Sequence, residues 1–237
     1  MTQKVYRQHR FTRPPGATEV LLVRHGESAP VVPGVAIPQV DGQDDPDLAP
    51  QGRAQAERVG ARLATAGIDA VYTTTLRRTH QTAAPLLAAT GLTATVEPDL
   101  REIHLGEWEG GLFRRHMTDG DPVARSVMTE QRWDVIPGAE TMPAFEARLT
   151  AGLDRIVSAH PDQRVAVFSH GGAIGMVMHL AVGGGRPFAF IGVDNGSISH
   201  LVAHDGSWLI RGFNDVSHLA GLEDEVDLDP EPDPIHS

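Results

Sequence analysis

Apolar residues fall in two rhythms along this chain. In the first they form short unbroken runs, at residues 19–23 (EVLLV), 69–73 (DAVYT) and 164–169 (RVAVFS). Short runs rich in β-branched residues predict strands buried on both faces, as in a parallel sheet. Residues 197–204 (SISHLVAH) alternate more and are followed by 206–213 (GSWLIRGF). Asp205-Gly206 between them predicts a hairpin turn. A further short strand is expected over 93–96.

The second rhythm is helical. Residues 50–67 place Ala56, Val59, Leu63 and Ala66 on one stripe, with Gly67 after the end. Residues 76–91 end similarly at Gly91, and Pro85 within them predicts a kink or a break. Residues 142–161 carry Phe145, Leu149, Leu153, Ile156 and Val157 at helical spacing. Residues 171–183 are nearly all apolar and predict a buried helix. Strands alternating with helices indicate an α/β fold, a three-layer α/β/α sandwich around a mostly parallel sheet. The reading is a single domain over 1–222. Residues 104–142, rich in Gly, Trp and charge, form an insertion over one sheet edge and the site. Residues 29–49 read as loop, and 223–237 as an acidic, disordered tail.

Composition narrows the function. The 237 residues carry 31 Asp plus Glu against 20 Lys plus Arg, a formal net charge of -11. That argues against nucleic acid or an anionic membrane as the main partner, while leaving a small anionic substrate open to a local arginine cluster. Cysteine is absent, so disulfides, thiolate catalysis and Cys-based zinc sites are excluded. No apolar stretch approaches the about 18 residues that would span a bilayer. The basic N-terminus lacks the apolar core of a signal peptide and reads as a peripheral lead-in. A cytoplasmic location is the expectation. A homodimer paired through the edge strands near 197–213 is compatible with the sequence.

Four stretches put reactive groups at strand ends or helix starts, where open α/β sheets bind ligands. Arg24-His25-Gly26 ends the first strand, and Gly26 lets a ligand or a second backbone come close. In TTTLRRTHQTA (73–83) a Thr run supplies an N-cap, and Arg77 and Arg78 sit in the first helical turn. Cations there oppose the helix dipole and invite an anion. Glu102 follows the short strand in DLREIHLGEWEG (99–110). Ser169-His170-Gly171-Gly172 lies between strand and helix, where free backbone N–H groups make an anion site.

LLVRHGES, LRRTHQTA, LREIHLGEWEG and SHGGAI stand in this order across residues 19–215, and together they resemble the histidine phosphatase superfamily, the phosphoglycerate mutase-like fold. The resemblance implies that His25 is a nucleophile that becomes phosphorylated. It implies that Arg24, Arg78 and His170 hold the phosphoryl oxygens and that Glu102 donates a proton to the leaving group. The family's Leu-x-Arg pattern selects Arg78 over Arg77, and the Gly171 N–H is a further phosphate contact. The family uses no metal, and no cofactor is expected for this chain. His80 and His104 therefore do not read as ligands, and no zinc motif spacing occurs.

This chemistry suits these residue types. Guanidinium forks bind phosphate oxygens bidentately and stay charged. A nucleophilic imidazole must be unprotonated; its reference pKa is about 6.5, and two neighbouring arginines lower it. Glu102 as an acid must hold a proton, which a bound phosphate dianion favours, so the pH optimum is expected to be acidic to neutral. Arg77 reads as a salt-bridge arginine, Trp108 and Trp133 as packing, and Asn195 as a cap at the turn into a strand. His9, His116, His179 and His218 carry no readable function.

After Ser28 the chain continues SAPVVPGVAIPQVDGQ and lacks the Trp-Asn and Thr-Gly-Trp segments of the family's mutases. LREIHLGEWEG is similar to the broad-specificity phosphatase branch, with His104 where that branch has Asp. An Asn common just after the first motif is also absent. Both changes touch the substrate pocket. The leading expectation is a phosphatase acting on small phosphorylated metabolites. The alternatives are a cofactor-dependent phosphoglycerate mutase and a catalytically silent binding protein on the same scaffold.

Overall fold

The computed structural model describes residues 7–222. Residues 7–17 lead in without regular structure. Then come β1 (Thr18–Arg24), a two-residue pair β2 (Gln39–Val40) and β3 (Gln43–Asp44), α1 (Pro50–Ala64), β4 (Ala70–Thr73), α2 (Arg77–Thr90) and β5 (Ala94–Val96). Helices α3 (Leu112–Asp119), α4 (Pro122–Glu130) and α5 (Met142–Ala159) follow, then β6 (Arg164–Ser169), α6 (Gly171–Ala181), β7 (Ile198–His204) and β8 (Ser207–Asp215). The acidic segment from Glu223 lies outside the described residues.

The main sheet has the order β5-β4-β6-β1-β7-β8. Its first four strands are parallel, β7 pairs antiparallel with β1, and β8 antiparallel with β7. Alternate residues of β1 face opposite layers, as the pleat requires. Leu21 and Val23 pack with Ala166 and Phe168 beneath Val59 and Leu63 of α1 and Ala83 and Leu86 of α2. Val20 and Leu22 pack with Val165 and Val167 beneath Phe145, Leu149 and Ile156 of α5 and Ile174 and Met178 of α6. Both faces are covered, which is why these strands read as unbroken apolar runs. Each of the Val, Leu, Ile, Phe and Met side chains buried here stabilises the fold by about 1.5–3 kcal/mol.

Register brings the strand ends together. Arg24 pairs with Ser169, and Thr73 with Phe168. The residues that follow, His25, His170 and Thr74, therefore leave the sheet side by side at its carboxyl edge. The chain changes faces after β5, since α1 and α2 cover one side and α5 and α6 the other. Such an edge is the usual ligand position in open α/β sheets.

Several elements differ from the sequence-based expectation. Helix α2 runs through Pro85 without a break. The proline ring lies where α1 comes closest: a Cβ at Gly60 would stand 2.6 Å from Pro85 Cβ. Packing of α1 on α2 outweighs the lost backbone bond. Residues 39–44, expected as loop, form the β2–β3 hairpin. Asp41 and Gly42 both take positive φ (48° and 79°), as do Asp205 and Gly206 (48° and 69°) in the expected β7–β8 hairpin. The stretch 104–142, expected as an insertion with no elements assigned, holds α3 and α4, and α4 sends Ala124 and Val127 into the core shared with α5 and α6. No helix among the described residues is long and apolar enough to cross a membrane.

Gly26 meets a second backbone and not a ligand. A Cβ there would lie 2.3 Å from the Gly52 carbonyl oxygen, and one at Gly52 would lie 1.9 Å from that of Glu27. The first turn of α1 is thus pressed against the loop leaving β1. Neither oxygen belongs to a movable side chain, so Gly52→Ala is expected to destabilise the protein by about 3 kcal/mol in urea unfolding. Gly212→Ala in β8, where a Cβ meets open space, should stay within about 0.5 kcal/mol of the parent.

Candidate active site

His25 follows β1 and is buried. Its Nδ1 lies 2.7 Å from the Gly26 carbonyl oxygen, which can only accept, so Nδ1 carries the proton. The lone pair is then on Nε2, where Arg78 Nε donates at 3.1 Å. Burial is the largest cause holding the imidazole pKa well below its ordinary value, followed by the charges of Arg78 and Arg24. The arginines act in the expected direction, but burial outranks them.

The loop around His25 is tied on every side. Gly26 N–H donates to Thr82 Oγ1 at 3.0 Å, and Thr82 Oγ1 donates to the Arg78 carbonyl at 2.7 Å. Asn195 Nδ2 donates to the His25 carbonyl at 2.9 Å. Asn195 was expected only to cap the turn into β7; it holds the histidine's own backbone.

Arg24 and Arg78 enter from β1 and from the first turn of α2. Arg24 donates to the Val193 carbonyl, and its buried Nε has no hydrogen-bond partner among the described residues. Arg78 also donates to the Asp44 carbonyl at 2.7 Å. Helix α2 is not capped by the Thr run. Its N-cap is Leu76, with no side-chain bond, and Asp45 takes the capping part by accepting from Arg77 N–H at 2.7 Å. Asp45 also pairs with Arg77 Nε at 2.8 Å, which makes Arg77 the expected salt-bridge residue.

His170 follows β6 as the N-cap of α6 and is fully buried behind His25, with ring centroids 5.2 Å apart in a T-shaped contact. Its Nε2 is 2.9 Å from Thr74 Oγ1, and its Nδ1 has no hydrogen-bond partner among the described residues. Burial first, then the charges of Arg78, His25 and Arg24, lower its pKa well below the ordinary value. It does not line the cavity described below.

Glu102 overturns one expectation. The amides opening α6 were read as free for phosphate, but Gly172 N–H and Ala173 N–H donate to the Glu102 carboxylate at 2.9 and 3.0 Å. Ile103 N–H adds a third bond at 3.0 Å. The helix start therefore holds this chain's own side-chain carboxyl group. Gly172 is required for the approach, because a Cβ there would lie 2.5 Å from Glu102 Oε1. A Cβ on Gly171 would lie 3.3 Å from Arg24 Nε.

Arg148 of α5 fixes the segment that carries Glu102. It donates to the carbonyls of Asp99, Arg101 and Glu102 at 2.7–2.8 Å and pairs with Glu140 at 2.7 Å. Sequence reasoning did not single it out, because a helix's apolar stripe says nothing of which polar neighbour turns inward.

A cavity of about 560 Å³ opens onto this group and is lined by Arg24, His25, Arg78, Glu102 and Gly171 among others. Its outer walls come from residues 29–37 and from the 104–142 stretch. Arg114 of α3 lies there, donating to the Ala29 carbonyl at 2.9 Å and Ser28 Oγ at 2.6 Å. It too was missed. Trp108 packs as expected, stacked on His116 at 4.5 Å, whereas Trp133 is buried and also lines the cavity. His104 Nδ1 accepts from Gly106 N–H at 3.0 Å.

Such a group suits an anionic ligand attacked by a neutral imidazole, with a carboxyl group at hand for proton transfer. Comparison with known proteins points the same way. Residues 20–216 match the model of the histidine phosphatase superfamily, branch 1. The chain is 35% identical over 206 residues to phosphoglycerate mutase-like protein 4 of Arabidopsis thaliana, covering 85% of this chain and 86% of that protein. It is 31% identical over 212 residues to the metal-independent phosphoserine phosphatase of the same plant, covering 86% and 84%. Among solved structures it resembles the mycobacterial glucosyl-3-phosphoglycerate phosphatase, with TM-score 0.70, 27% identity and coverage of 84% and 99%.

Two outcomes follow from this geometry. Unfolded histidines bind protons below about pH 6.5, while His25 and His170 in the folded chain do not until lower pH. Stability is therefore complete above that pH and falls below it, by about 1.4 kcal/mol per pH unit for each ring, until the folded rings protonate. Urea unfolding at pH 7.5 and 5.5 should show this loss, and His170→Asn should make it smaller. Arg148→Met should destabilise the fold by about 3 kcal/mol. It should also lower kcat roughly a hundredfold, with a smaller change in KM, because Glu102 loses its support.

Proposed function

The chain belongs to the histidine phosphatase superfamily, branch 1, and from that premise we propose that it hydrolyses phosphomonoesters of small metabolites through a phosphohistidine on His25. The observation that carries this reading is the state of His25. It is neutral, its proton sits on Nδ1 against Gly26, and its Nε2 lone pair meets Arg78 in the cavity.

In the first step the Nε2 lone pair forms a bond to phosphorus as the bond to the ester oxygen breaks. Glu102 gives its proton to the departing alcohol. Arg24 and Arg78 hold the equatorial oxygens, where charge is spread as the phosphoryl group transfers. His170 is a further proposed phosphoryl contact through Nδ1, which is buried with no other partner. The Gly171 N–H is proposed as another, beside Arg24. In the second step water attacks phosphorus, Glu102 takes a water proton, the N–P bond breaks and inorganic phosphate leaves. The covalent intermediate splits one difficult displacement into two easier ones. No step calls for a metal. The missing Trp-Asn and Thr-Gly-Trp segments favour water over a second substrate hydroxyl as the final acceptor.

The purified chain is expected to release phosphate from p-nitrophenyl phosphate at a rate unchanged by EDTA. Acid-labile phosphate should be trapped on the His25 peptide by rapid quenching. His25→Ala should lower kcat by at least about a thousandfold. Retained turnover in that variant would overturn the mechanism. Interconversion of 3- and 2-phosphoglycerate that depends on 2,3-bisphosphoglycerate would favour the mutase instead.

A further inference from the structure

A phosphoryl group held by Arg24, His25 and Arg78 takes up only the inner end of the about 560 Å³ cavity. The remainder has to receive the leaving alcohol, and its walls are specific about what fits. They are formed by Val31 and Ile37 from the loop before β2, Leu105, Phe113 from α3, Trp133 and Ile191.

The apolar wall is built in place. A Cβ at Gly111, just before α3, would lie 2.7 Å from Val31 Cγ1 and 2.9 Å from Ile37 Cδ1, and its φ is +79°. Glycine there lets both side chains close onto the start of α3. Phe113 meets Trp133 edge to face at 5.9 Å, and Trp133 packs on Phe188 at 4.8 Å. The aromatic surface is therefore braced from behind, and it suits a flat apolar group.

The charged lining argues against a second anion. Beyond the two phosphate arginines the guanidinium at hand is Arg114, two of whose five N–H donors are engaged by Ser28 and Ala29. Its positive charge acts on His25 and on Arg24 and Arg78, toward the phosphoryl end. The outer wall instead carries the carboxylates Asp44 and Glu109. Gly110 and Gly111 N–H donate to Asp44 at 2.7 Å, and Leu105 and Asp44 N–H donate to Glu109 at 2.9 Å. Those bonds hold the two carboxylates in place, so a carboxylate or second phosphate on the substrate would face like charge.

We infer that this phosphatase, if the reading above holds, takes monoesters of aromatic or bulky apolar alcohols that carry no second anionic group, with Phe113 as the residue that selects them. The chemistry differs from that named for the phosphoserine and glucosyl-3-phosphoglycerate phosphatases it resembles, whose substrates each carry a carboxylate.

The test compares kcat/KM of the full chain for 2-phenylethyl phosphate, 3-phosphoglycerate and O-phosphoserine. All three have alkyl leaving groups, so the comparison reads binding and not leaving-group reactivity. The phenylethyl ester is expected to be preferred at least about tenfold over each of the others. Phe113→Ala should lower the kcat/KM ratio of phenylethyl to methyl phosphate about tenfold, mainly through KM, and Phe113→Trp should retain it. Should Phe113→Ala fail to fold, Gly111→Ala gives a second probe, because it pushes Val31 and Ile37 off the wall and should reduce the same ratio. A preference below about tenfold, or for either anionic alcohol, would overturn this inference and leave the phosphatase reading standing. Hydrolysis of none of the monoesters would overturn both.

Discussion

One carbonyl oxygen decides what His25 can do. The Gly26 oxygen, 2.7 Å from Nδ1, takes the imidazole's only proton and leaves the lone pair on Nε2 facing Arg78. Burial and two neighbouring guanidiniums keep a second proton away. That arrangement demands an immobile backbone at residues 25 and 26. The chain supplies it through a strand buried on both faces, the close approach of Gly26 and Gly52, and side-chain ties from Thr82 and Asn195. Loosening any of these would free the ring to turn and present the wrong nitrogen.

The cavity joins two pieces of different origin. The inner end is made by the sheet, because register sets the ends of β1 and β6 beside each other and α2 points Arg78 at the same place. The outer end is made by segments added to the sheet, the loop before β2 and the helices between β5 and β6. Glu102 sits at the seam. Its segment is fastened on one side by Arg148 and Gln43, which donate to its carbonyl, and its carboxylate is docked on the first amides of α6. A carboxyl group held in this way stays fixed in the cavity wall while the walls beyond it vary in chemistry.

Much of this was legible in the sequence. Strands covered on both faces leave unbroken apolar runs, and helices packed on them leave a periodic stripe, so residues 19–23, 164–169 and 142–161 gave themselves away. The Asp205-Gly206 turn was read correctly, while the same pair at Asp41-Gly42 was passed over because no long apolar strands flank it. His25 and Glu102 were singled out because each stands at a junction between elements, and Arg78 over Arg77 by the family resemblance; one cavity brings the three together. Arg148, Arg114 and Asn195 were not, since each acts on backbone carbonyls far away in sequence, and such contacts leave no period or spacing. The start of α6 was misjudged for a related reason. Its free amides are a local property, but the carboxylate that occupies them arrives from 70 residues upstream.

The central claim is that His25 rests as a neutral ring with its proton on Nδ1. Nitrogen-15 NMR of the full chain labelled at histidine reads this directly, with His25→Asn assigning the signals. Between pH 7.5 and 5.5 the His25 signals should show one protonated and one bare nitrogen, correlated as the Nδ1–H tautomer, with no titration through about pH 6.5. A ring that titrates near that pH, or that carries its proton on Nε2, would contradict the account.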